Sequence, residues 1–188
     1  RAMIPALAPF DAAYAWCADA VLQTLAGEPQ AASTSAARAM AVSKEQAFPA
    51  WQLMGSVIHG WASARLGNPT PAIAQMLAGF DAWCASGARN LRPFFLALLA
   101  DAWLAGGQPL QAVRSAGQGL LEAATGERWW DAELHRLRGE GLALLGERAR
   151  ALESARLAAE EAERMGAVMW ARRAHESLGR IAREQEAT

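Results

Sequence analysis

The chain has 188 residues, 53% of them hydrophobic, and a formal net charge of −1. That balance argues against a general nucleic-acid surface, which needs a surplus of Lys and Arg to displace counterions. No apolar run reaches the roughly 18 residues of a membrane span, and Arg1–Pro5 lack the features of a secretory signal, so a cytoplasmic protein without a membrane segment is expected.

The first residue is Arg1 rather than methionine, which points to a piece of a longer protein. Charge is uneven in amount but not in sign. Residues 1–88 carry few charged side chains, residues 89–188 carry many arginines balanced by acids, and Lys44 is the only lysine. Cys17 and Cys84 fall on apolar helix faces and read as buried free thiols.

In chain order, residues 1–7 read as a loose lead-in and Pro9–Ala26 as the first helix, with Tyr14, Trp16, Val21, Leu22 and Leu25 supplying apolar contacts. Its partner, about residues 29–43, is built from Ala and Ser and buries little area per residue. This first hairpin (9–43) should therefore be the least stable. Further hairpins follow over residues 48–86, 92–125 and 128–165, and a single helix over 168–185 closes the chain as a polar cap. No strand pattern is present.

The hairpins share one plan. Gly27, Gly67, Gly107 and Gly146 end the first helix of each, 40, 40 and 39 residues apart. Three of them sit in Gly-x-Pro: Gly27-Glu28-Pro29, Gly67-Asn68-Pro69 and Gly107-Gln108-Pro109. Glycine tolerates the left-handed backbone of a helix end, and proline suits the first position of the next helix. Seven residues before each turn glycine stand Ala20, Gly60, Ala100 and Gly139. Five after it stand Ala32, Ala72, Ala112 and Ala151; twelve after it stand Ala39, Gly79, Gly119 and Ala158. Such small columns let helices pack closely, and a fixed period of this length marks a stacked array. Gly87, Gly126 and Gly166, with Ala47 in register, close the second helices.

These columns resemble the tetratricopeptide motif, although each unit is about six residues longer and Lys44, Cys84, Ala124 and Glu163 replace its closing proline. The block Trp130–Glu140, with Phe48-Pro49-Ala50-Trp51 and Arg92–Ala100, resembles the C-terminal repeat region of large bacterial signalling ATPases. Those proteins carry a class III nucleotide cyclase or a DNA-binding transcriptional domain at the other end. The resemblance implies an all-α, right-handed superhelix (an α-solenoid) with a period near 40 residues. It also implies an interaction arm for signal transduction or transcription regulation.

No catalytic machinery is visible. His59, His135 and His175 lie on different helices, and Asp131 with His135 make an i,i+4 pair that lacks further metal ligands. No phosphate-binding Gly-x-x-x-x-Gly-Lys loop occurs, and no Ser or Cys has a nearby activating pair. The chain is read as a non-enzyme without cofactor or metal. Carried over from the tetratricopeptide pattern, the groove positions are Tyr14, Met54, Trp61, Arg65, Phe94, Asp101, Glu133, Arg136 and Glu140. The expected partner is a protein or peptide segment, or another domain of the same chain. A small-molecule effector held by Tyr14, Met54, Trp61 and Phe94, or a homo-oligomer formed through a terminal surface, are the alternatives. Trp16, Trp51, Trp83, Trp103, Trp130 and Trp170 are expected in the core between hairpins.

Overall fold

The computed structural model describes residues 3–4 and 7–186, with side chains described through Arg183. Of the lead-in expected over residues 1–7, residues 1–2 and 5–6 lie outside the described residues. Among the described residues the protein is an all-α helical-repeat fold of nine α-helices with no strand. No described helix is long and apolar enough to cross a membrane.

The helices are α1 (Pro9–Ala26), α2 (Pro29–Glu45), α3 (Pro49–Arg65), α4 (Pro69–Ala85), α5 (Arg92–Ala105), α6 (Pro109–Ala123), α7 (Asp131–Leu144), α8 (Arg148–Arg164) and α9 (Val168–Glu186). One departure from the expected pattern is local: Arg128–Trp130 form a separate 3₁₀ turn that leads into α7.

The punctuation works as the residue types require. Gly27 has φ 76°, and the amide of Glu28 donates to the carbonyl of Gln23 at 2.9 Å, six residues closing on one. The same closure recurs at Gly67, Gly107 and Gly146. None of the second helices α2, α4, α6 and α8 has a side-chain cap. In α2, α4 and α6 a proline in the first turn removes one of the amides a cap would have served. Ala47 takes the same left-handed turn at φ 55° without being glycine, a conformation that costs an L-residue roughly 1 kcal/mol.

The chain divides into two compact units, residues 1–89 and 90–188. In the first, α1 packs on α2, α2 on α3 and α3 on α4, and α1 also reaches α3. In the second, α5 to α9 pack consecutively, and α5 reaches α7 and α7 reaches α9. The first helices of successive hairpins therefore touch one another, α1 with α3, and α5 with α7 with α9. Within each unit this side is called the first-helix face.

The small columns are where the close approaches occur. A Cβ placed on Gly60 would stand 2.5 Å from Met76 Cγ and 3.1 Å from the Ala72 carbonyl of α4. On Gly139 it would stand 3.2 Å from the Ala151 carbonyl of α8. Of the tryptophans expected in the core, Trp16, Trp83, Trp130 and Trp170 are buried, whereas Trp51 and Trp103 are half-buried.

Candidate functional site

The nine groove positions divide between the units. Tyr14, Met54, Trp61 and Arg65 lie in the first; Phe94, Asp101, Glu133, Arg136 and Glu140 lie in the second.

In the first unit the apolar members are mostly used for packing. Met54 and Trp61 are 6% and 4% exposed, so they present almost no surface to a ligand. Tyr14 is 55% exposed and meets Trp51 edge-on, with ring centres 5.4 Å apart. Phe10 joins the same cluster through Phe48 at 5.3 Å and Trp51 at 5.8 Å. Beneath it the Cys17 thiol donates to the Trp51 carbonyl at 3.5 Å, and burial pushes that thiol up to about 12. Arg65 is exposed on the last turn of α3.

The second unit gathers a charged network on its first-helix face, where three helices each contribute. On α7, Glu133 and Arg136 form a two-point pair, with Arg136 Nε and Nη2 donating to the carboxylate at 2.8 and 2.6 Å. Glu140 lies 3.8 Å from Arg136 on the next turn. From α9 the Ser177 hydroxyl donates to Glu140 Oε1 at 2.6 Å, and Arg180 pairs with the other carboxylate oxygen. Asp101 on α5 is half-buried, and its field acts on Arg136. Burial alone would lower the guanidinium of Arg136, but the Glu133 pair and Asp101 outweigh it and hold it above its ordinary value. The cation stays charged in a largely enclosed setting because carboxylates surround it.

An aromatic spine fixes the ends of these helices. Phe94 of α5 is fully buried and stacks on Trp130 at 4.7 Å; Trp130 in turn meets Trp129 at 4.9 Å and Trp170 of α9 at 5.2 Å. Phe94 thus packs α5 to the 3₁₀ turn and offers no free surface. The Leu91 amide, which precedes α5 with φ 63°, donates to Glu127 Oε2 at 2.7 Å.

Arg180 and Ser177 were not among the groove positions read from the sequence, because α9 was read as a cap. The signal for them is Gly179, which stands 40 residues after Gly139 in the same small column. That spacing makes α9 the first helix of a further unit and puts Arg180 in the column of Asp101 and Glu140.

Asp131 and His135 do not pair, although i,i+4 spacing would allow it. Asp131 Oδ2 accepts from Arg128 Nε at 2.8 Å, while Asp131 Oδ1, His135 Nδ1 and Trp130 Nε1 are buried without partners. Burial lowers the His135 imidazole from its ordinary value; Asp131 and Glu161 partly offset this and Arg138 and Arg128 reinforce it. Arg164 Nε donates to Glu161 Oε2 at 2.9 Å. No three His, Cys, Asp or Glu side chains among the described residues are grouped to hold a metal ion.

A scan against protein-family models and a search of curated proteins both return no match to this chain.

Proposed function

We propose that the chain is a non-catalytic interaction and sensing arm, and that the first-helix face of its second unit holds a protein segment or a neighbouring domain of the same chain. The observation that carries this reading is the network of Asp101, Glu133, Arg136, Glu140 and Arg180, which draws charges from three helices onto one face. Folding gains little from enclosing such a network, since apolar residues of the same volume would serve stability as well. Oriented charges on a rigid face do give specificity to an association, and arginine is prominent among residues that dominate binding energy.

The chemistry available is recognition rather than turnover. The carboxylates are matched to guanidinium groups, and Arg180, with its side chain 43% exposed, is the member most open to a partner. In the larger setting that the sequence resemblance implies, the arm would belong to a cytoplasmic bacterial signalling or transcriptional regulator. Binding would then bias an attached cyclase, ATPase or DNA-binding domain. Such coupling requires a partner that favours one state of the regulator over another.

The test is affinity capture from a bacterial lysate with the wild-type chain and Arg180→Glu. The variant reverses an exposed charge without touching the aromatic spine. A partner held by the wild type and lost by a variant with unchanged circular dichroism supports the reading. Equal capture by both chains removes the face from consideration.

A further inference from the structure

In the second unit the second helices meet differently from the first. The first helices touch, α5 with α7 and α7 with α9, whereas α6 and α8 each pack on α7 and not on one another. On this second-helix side an open groove of about 570 Å³ runs along α6, with α7 as its far wall. Its two helices lie inside the stack, with α5 packed on α6 and α8 packed on α7.

Close approaches set the register of the two walls. A Cβ on Gly141 would lie 2.8 Å from Val113 Cγ2, and one on Gly119 would lie 2.5 Å from Leu134 Cδ2. The helices are therefore antiparallel, and Arg138 of α7 stands across the groove from the turn Arg114–Gly117 of α6. Leu120 and Leu121 form its other end, about 12 Å along α6 from Val113.

Three features of the groove serve no purpose in folding. Gly117 lies within α6, where glycine is less favourable than alanine, yet a Cβ there would meet nothing within 4 Å among the described residues. Gly119 makes room for Leu134; Gly117 makes room for nothing in the chain. Leu121 is 69% exposed, more than any other leucine among the described residues. Arg114 and Arg138 have no carboxylate partner among the described residues, whereas Arg92, Arg136, Arg164 and Arg180 of the same unit each sit against one. Glu122, the only acid of α6, is turned to Arg92 and accepts from Gln118. Two cations on one groove repel each other until an anion joins them.

We propose that this groove is a docking site for an acidic segment of another polypeptide, one that places an Asp or Glu beside a large apolar side chain. The carboxylate sits between the guanidinium groups of Arg114 and Arg138, and the apolar side chain covers Gly117, Leu120 and Leu121. Charge complementarity selects the acid, since two lining residues are arginine and none is acidic. The bare backbone at Gly117 selects a bulky neighbour for it. The rim selects a polypeptide over a small molecule, because Arg114, Gln118 and Leu121 are exposed and the groove does not enclose a ligand as small-molecule sites do. The site is independent of the first-helix face proposed above.

The probe is a phage-displayed library of random dodecapeptides, selected on the full chain with the Arg114→Glu, Arg138→Glu chain as competitor. Enriched peptides are expected to pair Asp or Glu with Leu, Ile, Met or Phe. A synthetic copy of the leading peptide, read by fluorescence anisotropy, should bind the wild type saturably and lose at least about tenfold in affinity for the double variant. Gly117→Leu should weaken binding while raising the urea midpoint, because leucine fills the groove and is the better helix former. A loss of binding there is therefore not a loss of fold. The Arg180→Glu chain should bind as the wild type does. No peptide enriched over the competitor, enrichment of peptides without an acid, or affinity unchanged by Gly117→Leu overturns the proposal. Loss of binding in Arg180→Glu would move the peptide to the first-helix face and overturn it too. A wild-type dimer by light scattering that Gly117→Leu dissolves would place a second copy in the groove, with the same consequence.

Discussion

Replacing Gly60 by alanine should destabilise the chain, whereas the same replacement at Gly179 should stabilise it. Both glycines occupy the small column of a first helix, so composition and position in the repeat do not separate them. Alanine is favoured over glycine inside a helix by about 1 kcal/mol, and that gain is common to both sites. The neighbours differ. At Gly60 the new Cβ would stand 2.5 Å from Met76 Cγ and 3.1 Å from the Ala72 carbonyl; the side chain can swing away, but the carbonyl belongs to a helix. Overpacking of this kind costs about 1–3 kcal/mol, leaving a net loss of up to about 2 kcal/mol after the propensity gain. At Gly179 the only neighbour within 4 Å among the described residues is Arg183 Nη1 at 3.4 Å, an ordinary contact with the end of a flexible side chain. There the full gain of up to about 1 kcal/mol should appear. Gly139 falls between the two, since its nearest atoms are the Ala151 carbonyl at 3.2 Å and the Ala155 amide nitrogen at 3.3 Å. Urea denaturation read at constant m gives the three differences directly. If Gly60→Ala and Gly179→Ala stabilise equally, the close packing assigned to this column is wrong.

Other substitutions probe separate parts of the structure. Ala47→Gly should raise stability by roughly 0.5 kcal/mol, because the relief of a left-handed φ of 55° exceeds the entropy cost of glycine; a loss in the denaturation midpoint would contradict the turn geometry. Arg136→Met should cost up to about 3 kcal/mol by removing the two-point guanidinium partner of the enclosed Glu133, and Glu133→Leu in the same chain should recover most of it. A single variant as stable as the wild type would show that the pair is not enclosed. His135 has a folded value lowered by burial, so the unfolded chain binds its proton more readily. Its contribution to stability should therefore fall as pH drops below about 6.5 and level off below the lowered folded value. Melting curves across that window should flatten in His135→Gln, and an unchanged slope would assign the dependence to other groups.

Much of the fold was legible because it rests on backbone chemistry. Gly27, Gly67, Gly107 and Gly146 adopt the left-handed conformation that glycine permits, and the prolines after three of them begin α2, α4 and α6. The expected helix boundaries fall within a few residues of those observed. The short turn at Arg128–Trp130 was not legible, since Trp129-Trp130 continues the apolar pattern of α7 and nothing in the residue types marks a change of pitch.

The groove positions were legible only in part. Glu133, Arg136 and Glu140 announce themselves, because charges three and four residues apart on one helix pair readily. Asp101 joins them through the repeat register alone. Apolar positions carry no such information. Met54, Trp61 and Phe94 have the same spacing whether they face solvent or lie between neighbouring helices, and here they are buried. Reading α9 as a polar cap hid Arg180 and Ser177, although Gly179 continues the small column.

The interaction face is tested most directly by amide hydrogen exchange of the chain alone and bound to its captured partner. Protection is predicted on α7 and α9 around Arg136, Glu140 and Arg180, with a smaller effect near Asp101 on α5. Protection confined to α6 and α8, with α7 and α9 exchanging as in the free chain, would contradict the account.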